Sequence, residues 1–184
     1  SRSTMYVSLE PCAHFGKTPP CADFILRKNI PKVVVGCRDS FDQVDGKGIQ
    51  KLKAAGVHVT VGVLQGACEN LNRRFFHFHK NHRPCVILKW AQTQNGIIGN
   101  LNNNRLLISS GASNQLVHKW RSEEAAIMVG TNTAAADDPS LTTRLWPGAD
   151  PLRVVIDMDL KLPGYLKLFN HEAATIVFNK HQNS

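Results

Sequence analysis

Seven short runs of apolar and β-branched residues recur along the chain and predict strands. They occupy residues 5–9, 32–37, 57–61, 86–90, 126–129, 153–157 and 175–178. Between several of these runs the apolar residues recur at helical spacing, which predicts helices at residues 21–28, 48–55 and 66–80. Alternating strands and helices predict an α/β fold with a largely parallel sheet.

A further helix is predicted before the strand at residues 126–129, after a turn and a short strand. Its expected N-cap is Ser113 or Asn114. Leu116, Val117 and Trp120 are predicted to form one apolar face.

The composition describes a globular protein, since 42% of its 184 residues are hydrophobic and 20% are charged. This length fits one ordinary domain or two small ones. No run approaches the roughly 18 consecutive apolar residues of a membrane helix, so we expect no membrane span and a cytoplasmic location. The five cysteines are an odd number in a chain that is not small, which favours reduced thiols over a disulfide framework.

Lysine and arginine outnumber aspartate and glutamate by 22 to 14, which gives a formal net charge of +8. This charge makes a phosphorylated small molecule a plausible partner. Nucleic acid is not expected as a partner, because the basic residues are dispersed along the chain.

The basic and aromatic segment RRFFHFHKNHRP, residues 73–84, ends in a proline and predicts a junction between domains at residues 1–83 and 84–184. Its histidines, His77, His79 and His82, raise the alternative of a metal site. That alternative is disfavoured because their spacing does not share one helical face.

The stretch LEPCAHFGKTPPC places Cys12 and Cys21 in a loop after a predicted strand, with eight residues between them. Two thiolates can supply two of the four positions of a tetrahedral zinc site. In zinc nucleobase deaminases a histidine in an H-x-E segment supplies the other protein ligand, and the usual cysteine pair is P-C-x-x-C. On spacing alone, a half zinc site and a structural loop with two thiols remain equal alternatives.

Together with the preceding TMYVS, this stretch resembles the deaminase motif of the bifunctional riboflavin-biosynthesis deaminase/reductase family, in which a longer loop separates the two zinc cysteines. The resemblance implies that Cys12 and Cys21 bind zinc and that His14 and Lys17 contact the base or ribose phosphate of the substrate. The alternative for Lys17 is a solvated loop charge. Only eleven residues precede Cys12 and none forms an H-x-E segment, so we expect the chain to begin inside the deaminase domain. The histidine ligand and the proton-shuttling glutamate would then lie upstream, and the chain as given would not deaminate.

The second half continues the resemblance, since RPCVILKWAQTQNGIIG is similar to the opening of the family's reductase domain, whose fold is like that of dihydrofolate reductase. Val86–Trp90 is predicted to be a buried strand, and Asn95-Gly96 is a hairpin turn signal. The resemblance implies that Ala91 faces a nicotinamide cofactor. It favours NADPH, although no residue in the chain distinguishes NADPH from NADH.

The segment GTNTAAADDPSLTTR, residues 130–144, resembles the family pattern G-x-x-T-x-x-x-D-D-P-x-L-T-x-R. By that resemblance Thr133 and Asp137 contact the cofactor, and Leu141 and Arg144 contact the substrate. Asp138 is interpreted as a turn residue before Pro139. Four further positions follow from the resemblance in the same way. Arg105 and Arg121 are implied as substrate contacts, and Leu107 and Met158 as cofactor contacts. Arg121 and Arg144 together suit a phosphate, with a surface arginine as the alternative for Arg121.

The resemblance therefore implies a partial cytidine-deaminase-like three-layer domain followed by a partial dihydrofolate-reductase-like domain. The implied function is deamination of a ribosylaminopyrimidine phosphate and NADPH-dependent reduction of its ribosyl group to ribityl, by a homo-oligomer. One alternative is a reductase alone, with the deaminase remnant as scaffold. Another is a non-catalytic module that binds zinc and nucleic acid.

Overall fold

The computed structural model describes residues 3–41, 44–99 and 107–181. These residues form two compact units, at residues 1–88 and 89–184. Each unit contains a three-stranded parallel sheet, which confirms the predicted α/β class with parallel strands. None of the helices within the described ranges has the length and hydropathy needed to span a membrane.

The first unit is built on strands β1 (Thr4–Leu9), β2 (Lys32–Cys37) and β3 (His58–Val61), in the order β1-β2-β3. The central strand β2 is almost wholly apolar because it has a partner on both sides. Its residues Val33 and Val35 pack against helices α1 (Cys21–Arg27) and α2 (Lys47–Ala54) in the core. Helices α3 (Gln65–Leu71) and α4 (Arg73–Asn81) follow the sheet.

The second unit repeats this plan with strands β4 (Ala126–Gly130), β5 (Leu152–Ile156) and β6 (Thr175–Phe178), in the order β4-β5-β6. Helix α5 (Gly111–Glu123) precedes β4, and helix α6 (Thr131–Asp137) follows it directly. A 3-10 turn, Lys167–Phe169, precedes β6. The core cluster of this unit contains Ala134, Leu141, Val155 and Leu168.

One face of the second sheet is apolar and exposed. Strand pairing places Met128, Val154 and Ile176 in one row and Gly130, Ile156 and Phe178 in the next, on the same side of the sheet. Met128, Ile156, Ile176 and Phe178 in these rows are exposed, whereas Val154 on the central strand is buried.

The predicted strand at Val86–Trp90 is wrong. The segment has no regular structure, and Val86, Leu88 and Trp90 are exposed. Strand composition reflects a half-buried pleated surface, and this segment pairs with no strand in the part of the chain that the structure describes. The turn at Asn95-Gly96 does form, with Gly96 at a φ of +82° and the Gly96 N–H donating to the Thr93 carbonyl.

Two expectations about helices and one about a strand also differ from the structure. The single helix expected at residues 66–80 is interrupted at Asn72, whose side-chain amide donates to the Cys68 carbonyl. The N-cap of α5 is Ser110, whose hydroxyl accepts the Ser113 N–H. The described residues before α5, 107–110, contain no strand.

The buried face of α5 is likewise not the predicted one. Leu116 and Trp120 are exposed, and the one residue of the helix that is fully buried is His118. Asn114, Val117 and Arg121 are partly buried and share the face of His118 at helical spacing. This face is more polar than the predicted one, because it packs against polar groups of the loop that follows α6.

Candidate functional site

The loop between β1 and α1 brings Cys12 and Cys21 together. The Cys21 N–H donates to the Cys12 sulfur at 3.3 Å, and the Ala22 N–H donates to the Cys12 carbonyl at 3.1 Å. Pro20 precedes the first helical residue, so α1 begins at Cys21. Burial raises the pKa of the Cys21 thiol, and the adjacent Cys12 thiol raises it further.

Glu10 anchors this loop from inside the unit. Its carboxylate is 4% exposed and accepts the backbone N–H groups of Asp39, Gly46 and Ile49, at 3.3, 3.0 and 3.1 Å. The last two of these groups are donors at the start of α2, which have no partner within the helix. Glu10 therefore ties the end of β1 to the first turn of α2, and this structural role occupies its oxygens.

Gly48 lets α2 approach the cysteine loop closely. A Cβ atom at this position would lie 1.8 Å from the Pro11 carbonyl oxygen and 3.3 Å from a Glu10 oxygen. No side chain larger than hydrogen fits there without moving the backbone next to Cys12. The position of the cysteine loop thus depends on a residue on a different element.

The cysteines open onto a cleft of about 690 Å³ in the first unit. His14 and Asp39 line it, together with the rings of Phe41, Phe75 and His79. The His79 ring lies between the other two rings, 4.5 Å from Phe41 and 4.3 Å from Phe75 between centroids. This arrangement provides flat apolar walls around a few polar groups, as ligand sites commonly do.

Of the two predicted substrate residues in this unit, the structure brings only His14 to the cleft. Lys17 is exposed on the loop and does not line the cleft. Asp39 lines it and was not predicted as a site residue. Burial raises the pKa of the Asp39 carboxyl group, against the opposing effect of its hydrogen bond from the Phe41 N–H.

Cys12 and Cys21 bring two thiol groups to the cleft, whereas a tetrahedral zinc site takes four ligands. Within residues 3–41, 44–99 and 107–181, no group of three or more histidine, cysteine, aspartate or glutamate side chains could hold a metal ion. The donors present therefore do not complete a tetrahedral site. The three histidines of the 73–84 segment make other contacts. His79 lies against phenylalanine rings at tilted angles, His77 contacts Asn81, and His82 ends α4 with a φ of +51°.

In the second unit, three of the predicted cofactor residues lie close to the sheet. Helix α6 begins at the carboxyl end of β4, where the Thr131 hydroxyl donates to the Ile156 carbonyl at the end of β5. Thr133 and Asp137 are exposed on α6 and four residues apart, so they share one helical face. Met158 is exposed just beyond the carboxyl end of β5. Ligands of open α/β sheets bind outside this end of the strands.

The predicted substrate residues Arg121 and Arg144 meet at Thr142. Arg121 Nη1 donates to the Thr142 carbonyl at 3.1 Å, and Arg144 Nη1 donates to the Thr142 hydroxyl at 2.6 Å. The backbone N–H of Arg144 donates to His118 Nδ1 at 2.9 Å. Two guanidinium groups that contact one residue carry the charge and the donor groups by which proteins commonly bind a phosphate or another oxyanion.

Three other predicted site residues are not brought to these groups. Leu141 is 4% exposed in the core, so it can offer a ligand only its backbone, which has a φ of +56°. Ala91 and Leu107 lie in segments without regular structure, half-buried and exposed respectively. Arg105 lies outside the described residues.

Asp138 has the turn role that its sequence position indicates. It ends α6 with a φ of +38°, and its carboxylate accepts the Lys167 N–H at 2.8 Å and pairs with the Lys167 ammonium group at 3.1 Å. The backbone hydrogen bond is the main reason that the pKa of Asp138 lies below its usual value.

Sequence reasoning missed Asp39 and His118. The position of Asp39, just after a buried strand of a parallel sheet, was a usable signal, because such loops carry binding groups. The sequence signal at His118 was weaker: it is a polar residue on the same helical face as Arg121.

Comparison with known proteins agrees with the fold. A profile described as the RibD C-terminal domain matches residues 84–184. The riboflavin biosynthesis protein RibD of Aquifex aeolicus is 43% identical over 183 residues, which are 98% of this chain and 51% of that protein. The protein of the same name from Synechocystis is 41% identical over 172 residues, or 94% of this chain and 47% of that protein.

Solved structures give the same result. A diaminohydroxyphosphoribosylaminopyrimidine deaminase/5-amino-6-(5-phosphoribosylamino)uracil reductase from Thermotoga maritima matches with a TM-score of 0.90 at 36% identity, over 98% of this chain and 52% of that one. RibD of Acinetobacter baumannii matches with a TM-score of 0.88 at 34% identity, over 97% of this chain and 52% of that one. The chain spans about half the length of the curated relatives it matches. Because the profile covers more than half of its residues, the chain belongs to the RibD C-terminal domain family.

Proposed function

We propose that this chain acts in riboflavin biosynthesis as an NADPH-dependent reductase of a ribosylaminopyrimidine phosphate, converting the ribosyl group to ribityl. The observation that carries the proposal is the meeting of Arg121 and Arg144 at Thr142 in a domain of the RibD C-terminal family. A pair of guanidinium groups matches the charge and the oxygen geometry of a phosphate monoester. The related Thermotoga protein is named as such a reductase, which supports the assignment.

In this proposal the two arginines hold the phosphate and thereby place the ribosyl carbon. Arg105 and the backbone at Leu141 complete the substrate contacts. The groups that would hold the cofactor are Thr133 and Asp137 on α6 and Met158 after β5, together with Ala91 and Leu107. The exposed hydroxyl and carboxylate on α6 fit the polar portions of a dinucleotide, and the Met158 thioether fits an apolar ring face. When bound, NADPH supplies the hydride, and the protein contributes orientation and binding.

A second activity, deamination, is favoured by one observation in the first unit: Cys12, Cys21 and His14 line the same cleft. We propose that residues 1–83 form part of a deaminase domain in which the two cysteines supply two zinc ligands. Because the described donors do not complete a zinc site, we assign no chemical step to a metal in this chain. The proposal keeps residues 84–184 as the reductase part, Lys17 as a substrate contact, and a cytoplasmic homo-oligomer as the working form.

The test is an assay of the longest natural protein that contains this chain, with the aminopyrimidine ribosyl phosphate as substrate. We expect NADPH consumption, and we expect Arg144→Ala and Arg121→Ala each to raise KM by about tenfold or more, because a charge-assisted phosphate contact contributes about 1.5–3 kcal/mol. Lys53→Ala is the matched control. It also removes one positive charge, but from an exposed position on α2.

Dephosphorylated substrate makes the test specific for the phosphate. With it, the arginine variants and the unsubstituted protein should have similar KM values. Failure of the protein to oxidise NADPH with the phosphorylated substrate would sink the reductase assignment.

The same preparation separates the alternatives. Ammonia release together with NADPH consumption indicates two activities, whereas NADPH consumption alone indicates the reductase with a scaffold. Salt-sensitive binding of RNA or DNA without either reaction would favour the nucleic-acid-binding module.

A further inference from the structure

His118 lies where the two arginines of the second unit meet, and only 6% of its surface is exposed. Its Nδ1 atom accepts the backbone N–H of Arg144 at 2.9 Å. Its Nε2 atom lies 3.5 Å from Nη1 of Arg121. A single imidazole ring therefore touches the backbone of one arginine and the side chain of the other.

These contacts determine the tautomer. A neutral imidazole has one ring nitrogen that can accept a hydrogen bond, and the shorter contact assigns that role to Nδ1. The proton is then on Nε2, so the longer contact to Arg121 is an approach of two donors and not a hydrogen bond. Nη1 of Arg121 is directed to the Thr142 carbonyl, at 3.1 Å.

The ring must also stay uncharged to make these contacts. The charged groups that act on it are Arg121, on its own helix, and Arg144, on the loop packed against it. Burial lowers the pKa of His118, and the two arginines lower it further. A protonated ring would carry a hydrogen on Nδ1 and would lose the bond to the Arg144 N–H.

We propose that His118 is the positioning residue of the arginine pair: as an uncharged acceptor on α5 it holds the backbone at Arg144, so that both guanidinium groups are presented to one oxyanion. This inference rests on the proposed function, in which that oxyanion is the substrate's phosphate. The inference adds His118 to the residues of the proposed phosphate site, although His118 itself makes no contact with the substrate. Its effect passes through Arg144, which is exposed, and Arg121, which is half-buried.

The geometry allows a sharp test, because two amides place their oxygens at different ring positions. In His118→Asn the side-chain oxygen replaces Nδ1 and can still accept the Arg144 N–H. In His118→Gln the oxygen falls near the position of Nε2 and faces Arg121 instead. His118→Leu has no acceptor at either position.

The experiment measures binding of inorganic sulfate to the 184-residue chain by titration calorimetry, with urea unfolding of each variant to confirm that it is folded. We expect His118→Asn to bind sulfate within about twofold of the unsubstituted chain, and His118→Gln and His118→Leu to bind about tenfold more weakly. If the leucine variant fails to fold, the comparison of His118→Asn with His118→Gln is sufficient to test the inference, because both variants carry a side-chain amide.

Equal sulfate affinity of the asparagine and glutamine variants would overturn the inference and leave the arginine pair standing. Absence of sulfate binding in the unsubstituted chain would overturn the arginine site, and with it both the proposed phosphate contact and the role of His118. Weakened binding by His118→Gln, with binding retained by His118→Asn, supports the inference.

Discussion

Arg153 carries a positive charge into the second unit, where only 1% of its surface is exposed. Its Nη1 atom donates to the carbonyls of Ser140 and Lys167 and to Oδ1 of Asn170, and its Nη2 atom donates to the Ala173 carbonyl. These acceptors belong to the loop before β5 and to the segment before β6. Arg153 therefore joins the start of β5 to two segments that contain no strand.

The guanidinium group of Arg153 is stabilised mainly by hydrogen bonds to uncharged acceptors. Burial lowers the pKa of the guanidinium group, and the more distant carboxylates of Glu172 and Asp150 act in the opposite direction. A buried charge is costly unless it is hydrogen-bonded, and four acceptors bind the two terminal nitrogens of Arg153. Its buried Nε atom has no hydrogen-bond partner among the described residues. The side chain is thus part of the structure of the unit.

We expect Arg153→Met to lower the free energy of unfolding by at least about 2 kcal/mol, because it leaves several buried carbonyl groups without a donor. Arg153→Lys should lower it nearly as much, since one ammonium group cannot replace a planar fork of donors. Urea unfolding followed by circular dichroism measures both. Lys180→Met is the control, because it removes an exposed ion pair with Asp159 and should cost no more than about 1 kcal/mol. A stable Arg153→Met variant would contradict this structural role.

The roles of His118 and Glu10 could not be predicted from the sequence, for one physical reason. His118 acquires its role from Arg144, and Glu10 acquires its role from Gly46 and Ile49, through contacts between positions far apart in the chain. Local spacing carries no information about such contacts. The approach of Cys12 and Cys21 could be predicted because both residues lie in one short loop.

At the scale of elements, the first turn of α2 is a fixed support for the cysteine loop. Gly46 precedes the helix with a φ of +89°, a left-handed conformation that glycine adopts without strain. Gly48 then passes against Pro11, and the Glu10 carboxylate accepts N–H groups from both sides of this glycine. The support therefore depends on the absence of a side chain at one helical position.

Gly48→Ala tests this support. Alanine favours a helix over glycine by up to about 1 kcal/mol, but here its Cβ would meet backbone, and overpacking costs about 1–3 kcal/mol. We expect a net loss of stability in urea unfolding and a faster reaction of the Cys12 and Cys21 thiols with an alkylating reagent.

Gly66→Ala is the matched control on α3 of the same unit. A Cβ atom there would have open space around it, so the substitution should be neutral or slightly stabilising. Equal effects of the two substitutions would contradict the close approach at Gly48.

Strand bounds could be predicted well for those runs of β-branched residues that have a neighbouring strand to pair with. The predicted bounds at residues 32–37 and 175–178 agree with β2 and β6, because both runs are paired and their turns are well marked. Val86–Trp90 has the same composition but no partner among the described residues, so composition alone was insufficient. The face of α5 was mispredicted because hydrophobicity was taken to decide burial, whereas His118 is buried through hydrogen bonding.

On the scale of the whole molecule, residues 83–98 separate two regions of regular structure. This segment contains no helix or strand, and Leu88 and Trp90 are exposed within it. Proteases bind substrates in an extended form, so exposed segments of this kind are cut first. The sequence predicted a junction at the start of this segment, from the proline that follows α4.

We expect brief digestion with chymotrypsin to cut at Trp90 before it cuts at Trp120 or Phe78, and mass spectrometry can identify the fragments. Trp120 and Phe78 are internal controls, because they are also exposed but lie within helices. Trp90→Ala should slow the first cut. First cleavage at Trp120 or Phe78 would contradict the structure of this segment.

The exposed apolar face of the second sheet governs how the chain behaves in concentrated solution. At low ionic strength the net charge of +8 makes copies repel one another and keeps them dispersed. Added salt shortens the range of that repulsion to about 10 Å at 0.1 M, while the attraction between hydrocarbon surfaces is not weakened. We therefore expect Met128, Ile156, Ile176 and Phe178 to promote association between copies as salt is added. We expect the protein to remain dispersed longest in dilute, low-salt buffer.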